Sequence, residues 1–398
     1  MGTRVKARGA RSRAAAAAIA VVPLTLLIGV ANPASGDQAP GALTLEADEL
    51  TASLDVPAVT KAAERRFGED YGGAWIDRSS GHPVLEIAVA GSGDPARLAS
   101  GRLGEPGIEL VPAELGAARL ERSRDHVIDA LAEEGTGPIV VDADQSRGGV
   151  VVEGALDPAA RAEIEAAAAG PVSFEQEALN AELVRESCFV CYPPWRANLP
   201  IRSGKALCTG AFTVRQGKRA KHKFRALTAG HCQTNRRQVY VADRKIGKIT
   251  ANSFRGKRRI TADAMRFKVP RKQRRAQVAT AQFGDVPVIA KLPDRALVPG
   301  QFLCFGGRTT GGGCGYLSRQ DIALKLGKKI FTHLWCVNVP TRPGDSGGPV
   351  VQDRGDGAVR AVGLVGLTLQ TATTDEMCFS SINLALKKLN VHLLSASR

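Results

Sequence analysis

Apolar residues change their spacing along this chain, and each spacing predicts a different kind of element. Between residues 37 and 70, Leu and Ala recur among charged residues at helical intervals, which predicts one or two amphipathic helices. Alternating runs follow. Residues 73–77 and 83–89 read as paired strands, Asp94-Pro95-Ala96 as the start of a helix, and 108–111 as a third strand. The same order then recurs: 138–142 and 149–153 pair, Asp157-Pro158-Ala159 opens a helix, and 172–174 closes the unit. In both units an aspartate able to cap the first amides precedes a proline at the first helical position, and the two starts lie 63 residues apart, at 94 and 157. A long helix over about 113–134 joins the units. From about Ile201 onward short apolar runs are broken by Gly and Pro, the pattern of an all-β structure, and 383–394 reads as a closing helix.

Charge divides the chain more sharply than length does. At 398 residues it has room for two or three domains. Residues 37–184 hold 11 Lys+Arg against 28 Asp+Glu, net −17, whereas 185–398 hold 38 against 11, net +27. Two such halves attract one another. Ahead of them, Arg4, Lys6, Arg8, Arg11 and Arg13 precede an uncharged stretch from Ala14 to Val30 and the small residues of 31–36. That is the layout of a secretory signal peptide over 1–36; as a membrane anchor, a 17-residue stretch containing Pro23 is short. The expectation is a secreted, extracellular, soluble protein.

All eight cysteines follow residue 187, and an even count in an exported chain favours disulfides. Cys188 and Cys191 form a Cys-x-x-Cys, but Tyr192-Pro193-Pro194 stands where a thioredoxin-like helix would begin, so a local structural disulfide is the better reading. No second cysteine or histidine pair sits at metal-ligand spacing, and neither metal nor cofactor is expected.

Two strings carry chemistry. Thr228-Ala229-Gly230-His231-Cys232 is followed, 115 residues beyond its histidine, by Ser346 in Gly344-Asp345-Ser346-Gly347-Gly348-Pro349. A serine hydroxyl is a poor nucleophile until a histidine takes its proton and a buried carboxylate orients the imidazole. Glycines around Ser346 let the chain turn tightly enough for the amides of Gly344 and Ser346 to face one developing oxyanion.

These strings resemble the chymotrypsin-like serine proteases, whose members run His, Asp, Ser along the chain. The resemblance places the third residue between them. Asp263, in Thr261-Ala262-Asp263-Ala264-Met265-Arg266-Phe267, has the small and apolar surroundings of a buried carboxylate, whereas Asp243 and Asp285 read as solvated turn aspartates. Cys208–Cys232, Cys304–Cys314 and Cys336–Cys378 resemble the bridges of the bacterial branch. Tyr71-Gly72-Gly73-Ala74-Trp75-Ile76-Asp77 and the two strand-rich units are similar to the pro-region of streptogrisin and alpha-lytic type proteases. The resemblance implies a signal peptide over 1–36, a pro-region over 37–184 that assists folding and then inhibits, and a protease domain over 185–398. The fold it implies is all-β: a chymotrypsin-like double β-barrel preceded by an α+β pro-region of two β-β-α-β units. Processing is expected within 183–200. The 208–214 and 225–232 stretches resemble the hairpin that presents the histidine.

The chain departs from that pattern in ways that matter. No Ile-Val-Gly-Gly start is present to insert a new amino terminus against Asp345, and Phe305 stands where relatives place an arginine, leaving Arg308 or another basic group to hold that aspartate. Gly366-Leu367-Thr368 aligns with the substrate-binding strand, so a hydroxyl partner of the triad aspartate is lost and a threonine narrows the pocket. Opposite, Pro340, Thr341 and Pro343 leave no acidic group for Lys or Arg, which points to an uncharged, small or medium apolar side chain at the cleaved residue. Basic runs at 215–223 and 266–275 suit an anionic surface or cell-wall polymer, but no aromatics interleave them, against a dedicated nucleic-acid site. The function expected is a secreted serine endopeptidase made as a zymogen, acting on polypeptide substrates through an acyl-enzyme, bound by its own pro-region and monomeric when mature. The alternatives are a catalytically weak or silent protease-fold protein that binds anionic polymers, and a redox module built on Cys188 and Cys191.

Overall fold

Aspartate caps set the first elements. The structure, a computed structural model, describes residues 54–397 except residue 80 and the stretches 92–102, 104–105, 132–136, 176–179, 183–194, 218–222, 242–243, 271–273, 281–283 and 372–373. The leader 1–36, the Asp94-Pro95 helix start, Asp243, and Cys188 with Cys191 therefore lie outside the described residues. Asp55 accepts the amide of Ala58 and opens α1, Val56–Phe67, which lays Val59 and Ala63 on a small sheet. In that sheet β1, Tyr71–Asp77, pairs antiparallel with β2, Val84–Ala90, and β2 pairs parallel with β3, Ile108–Ala113. Ile76, Leu85 and Ile87 fill the space beneath the helix together with Val298 from much later in the chain.

α2 spans Ala117–Ala130, shorter than the helix expected over 113–134. Ala113 is still in strand register with Ala90, and Gly116, in an extended conformation, is the N-cap. The second unit follows its predicted order. β4, Ile139–Asp144, pairs antiparallel with β5, Gly149–Glu153; Asp157 caps α3, Pro158–Ala167, accepting the amide of Ala160 at 2.9 Å; and β6, Val172–Glu175, runs parallel to β5. The sheet of this unit does not stop at its own edge. Val141, Val140 and Ile139 pair antiparallel with Ala323, Leu324 and Lys325, so the acidic half adds strands to a sheet of the basic half. A short β7, Asn180–Glu182, pairs with Thr368, Leu369 and Gln370.

Beyond residue 195 the chain is the all-β double barrel expected. The first sheet contains strands Leu199–Ser203, Ala206–Gly210, Thr213–Arg215, Phe224–Thr228, Gln238–Val241, Arg244–Asn252 and Met265–Lys268 around Ile201, Val239, Ile249 and Phe267. The second contains Phe302–Phe305, Gly313–Leu326, Lys329–Val337, Pro349–Asp353, Val359–Gln370 and Asp375–Ser381 around Phe305, Trp335, Val350 and Phe379. Each fully buried phenylalanine contributes about 1.5–3 kcal/mol from apolar area alone. The disulfides Cys208–Cys232, Cys304–Cys314 and Cys336–Cys378 form. No helix among the described residues is long and apolar enough to cross a membrane.

Two expectations need correction. Cys208 and its neighbours pair back with 199–203, whereas Ala211 and Phe212 bond Leu227 and 213–215 pairs with 224–226, so the hairpin before His231 begins later than the 208–214 run suggested. At the end, the helix spans Ile382–Leu389; Asn390 takes the left-handed conformation, φ 48°, and His392–Leu393 becomes a strand against Val214 and Arg215.

Candidate active site

His231 sits on a single 3-10 turn, Gly230–Cys232, directly after a fully buried strand. Asn252 steadies that turn, its Nδ2 donating to the Gly230 carbonyl at 2.8 Å and to Gln233 Oε1 at 3.0 Å. Gly230 is required there. A Cβ would lie 2.6 Å from Phe254 Cβ and 2.9 Å from an oxygen of Asp263. Asp263, 1 % exposed, uses both oxygens on the histidine: Oδ1 accepts the His231 backbone amide at 3.0 Å, and Oδ2 meets Nδ1 at 2.5 Å. A carboxylate on Nδ1 fixes the proton there and leaves Nε2 as the acceptor. Nε2 lies 2.9 Å from Ser346 Oγ. Ser380 Oγ accepts the Asp263 amide at 2.9 Å, holding the backbone of Asp263 in place. Of the competing aspartates, Asp285 pairs with Arg196 at 3.0 Å, away from this cluster, and Asp243 lies outside the described residues.

The turn before the serine follows from its sequence. Pro343 and Gly344 occupy the centre of a four-residue turn closed by the Asp345 amide on the Arg342 carbonyl at 3.1 Å, with Gly344 at φ 106°. Proline followed by a residue of positive φ is the type II pattern. Thr209 pins this turn from the first barrel, its hydroxyl donating to the Gly344 carbonyl at 2.8 Å and its amide to the Ser346 carbonyl at 2.8 Å. Asp345 is wholly buried and accepts three backbone amides, those of Thr309 at 2.8 Å, Thr310 at 3.2 Å and Arg342 at 2.9 Å. Arg308, buried on the same loop, sends its amide to Thr209 Oγ1 at 3.0 Å.

Of the pocket residues read from sequence, Gly366 comes nearest the serine, its carbonyl 3.5 Å from Ser346 Oγ. Among the described residues a Cβ on Gly366 would meet only the Cys378 carbonyl, at 3.4 Å. Thr341 and Thr368 meet hydroxyl to hydroxyl at 2.6 Å, both buried. Leu367 points into the second barrel's hydrophobic interior, and the Pro343 carbonyl accepts from the Thr309 hydroxyl at 2.6 Å. Sequence reasoning missed Thr209, Asn252 and Ser380, polar residues in strands or at their ends with no motif of their own. It also missed β7, which lies along the strand that carries Gly366 and Thr368. The Sγ atoms of Cys208 and Cys232, close to His231, are joined to each other and are not available as metal ligands.

The two barrels and the placement of this site define a chymotrypsin-like protease fold. No family model matches the chain. Among solved structures it is similar to protease A of Thermobifida fusca, at 22% identity and TM-score 0.41, over 50% of this chain and 98% of that one. It is similar to Nocardiopsis protease over the same shares at 22% and 0.41, and to Cellulomonas bogoriensis chymotrypsin, again over 50% and 98%, at 22% and 0.40.

Proposed function

We propose that the protein is a secreted serine endopeptidase made as a zymogen, with Ser346 as nucleophile, His231 as general base and Asp263 as the residue that orients it. The continuous Asp263–His231–Ser346 hydrogen-bond chain carries this reading. Ser346 Oγ attacks a peptide carbonyl while Nε2 takes its proton, and the imidazolium formed is stabilised by Asp263. The amides of Gly344 and Ser346 receive the oxyanion. His231 then protonates the leaving amine, and water hydrolyses the acyl-enzyme by the same route. The Thr341–Thr368 contact supports a small, uncharged side chain at the cleaved residue.

Residues 37–184 are the inhibitory segment, and the pairing of β7 with 368–370 supports a substrate-like block. Cleavage falls within residues 183–200, the stretch that follows β7. Amino-terminal sequencing of the secreted protein tests the site, and a mature chain beginning at Asp37 with full activity refutes the segment's role. For the chemistry, an organophosphonate probe labels Ser346 in the processed protein, and Ser346→Ala or His231→Ala lowers peptide hydrolysis by several orders of magnitude.

One observation favours the second reading, a silent binder of anionic polymers. Arg236, Arg237, Lys245 and Lys248 are exposed around a concavity of ≈ 480 Å³ on the first barrel. Absence of phosphonate labelling, with retention on an anionic matrix, would decide for it.

A further inference from the structure

Three acidic residues of the second unit, Asp142, Asp144 and Glu153, gather where β4 and β5 meet the basic half. Two of them line a cavity of ≈ 70 Å³ that crosses the junction: Asp142 and Asp144, with Trp75 and Gln145 on one side and Pro299, Ser318 and Gln320 on the other. The cations that face this cluster are already committed. Arg319 pairs with Glu153 and, at 2.6 Å, with Glu376, whose side chain is 6 % exposed. Arg124 pairs with Asp321 at 2.9 Å and with Asp125 at 3.0 Å. Arg147 pairs with Asp144 and Glu175 at the outer edge. Each of these arginines thus serves two carboxylates, and among the described residues no ion pair reaches Asp142.

We propose that this junction is a proton-controlled docking surface: Asp142 docks as the neutral acid, and its ionisation drives the N-terminal segment off the protease half. Use of the surface for release rests on the reading of 37–184 as a removable segment; the coupling itself does not. The sign follows from the crowding of carboxylates around Asp142, which is half-buried and lines the cavity. Desolvation, then repulsion from Asp144 and Glu153, outweighs the attraction of Arg319 and Arg124 and pushes the Asp142 carboxyl up to about 8. In the separated segment the carboxyl returns toward about 4. A group raised in the docked state contributes fully below its free value and loses that contribution as pH rises to its docked value. Docking therefore weakens by up to about tenfold per pH unit between roughly pH 4 and 8 and levels off above.

The test uses the full chain with Ser346→Ala, so that no self-cleavage occurs and the nucleophile assignment is not in play. Cutting of residues 54–175 by added thermolysin is followed from pH 5.5 to 9, normalised at each pH to an unstructured peptide. Opening should rise up to about tenfold per unit and flatten above pH 8. Asp142→Asn, an isostere of the neutral acid, should remove the slope and stay protected at pH 9. Asp144→Asn, which removes one repelling charge, should move the upper bend to lower pH. Should Asp142→Asn fail to fold, the ¹³C carboxyl shift of Asp142 in the Ser346→Ala chain reads its titration directly. A flat parent profile, an Asp142→Asn profile as steep as the parent's, or an Asp142 titration in the ordinary range near 4 would overturn the proposal.

Discussion

Removing Arg124 should loosen the N-terminal segment more than removing any other single cation of it. Its side chain is 2 % exposed on α2 and reaches the Gly313–Leu326 strand, where it donates to the carboxylate and to the backbone carbonyl of Asp321. Asp321 is at φ 54° and its partner His333 at φ 59°, left-handed conformations that cost of order 1–3 kcal/mol each outside glycine. The strand register shifts around Asp321, and the bulge is held by His333 Nδ1 on Asp321 at 2.8 Å together with Arg124. Breaking a buried ion pair by deleting one partner costs about 3–5 kcal/mol. Because His333 still faces Asp321 after the deletion, the lower end applies: about 3 kcal/mol, or about 150-fold in the opening equilibrium. Urea titration of the Ser346→Ala chain, followed by amide exchange over 117–130 and 139–153, measures this for Arg124→Ala. Arg124→Lys should recover part of the loss, since one ammonium cannot span both acceptors as the guanidinium does. A change under about 0.5 kcal/mol for Arg124→Ala, the ordinary range of surface substitutions, would refute the clamp.

Three further outcomes are expected. Gly347→Ala places a Cβ 2.0 Å from Thr228 Oγ1 and 2.6 Å from the Ala229 amide at φ 82°, so it should destabilise by more than about 2 kcal/mol in denaturant and abolish hydrolysis. Asn252→Ala frees the His231 turn and should lower kcat about 10- to 100-fold with KM nearly unchanged, measured on a chromogenic peptide; an equal rise in KM would place its role in substrate binding. The isolated 37–184 segment should inhibit the processed enzyme with an association rate that falls as salt rises, because charges of −17 and +27 steer the encounter, while dissociation changes less; stopped-flow from low to high salt separates the two.

What the sequence disclosed and what it hid have different physical origins. His231 and Ser346 were legible because their chemistry requires tight turns, and tight turns leave contiguous glycine-bearing strings. Asp263 needed its apolar neighbours and the expected chain order, since an aspartate alone has no signature. Thr209, Asn252 and Ser380 act across 135, 22 and 117 residues, and such contacts exist only once the barrels have closed. The strands of the second unit showed by alternation, yet the joining of β4 to 323–325 is made by backbone groups that every residue carries. The end of the last helix was missed for a local reason: Asn390 is one of the few non-glycine residues to adopt the left-handed cap, and its type alone does not say so.

Asp345 and the Asp263–His231–Ser346 chain bear on how such an enzyme would be kept silent. Where a new amino terminus must neutralise the aspartate beside the serine, the uncut chain lacks a formed site. Here Asp345 is already satisfied by three amides, and the serine, histidine and aspartate are aligned with the N-terminal segment in place. In the zymogen proposed above, control therefore has to act on access. On that proposal two locks restrict access, and they obey different physics. β7 lies on 368–370 through backbone hydrogen bonds that pH does not touch, whereas the Asp142 junction loosens as protons leave. Cutting the chain alone does not clear the strand, because a tail attached to a docked segment stays at an effective concentration of the order of millimolar. Release requires the junction to open as well. If the junction works as proposed, the acidic cluster sets the step after cleavage: in acid the cut segment stays and inhibits, and as pH rises toward 8 both locks leave together.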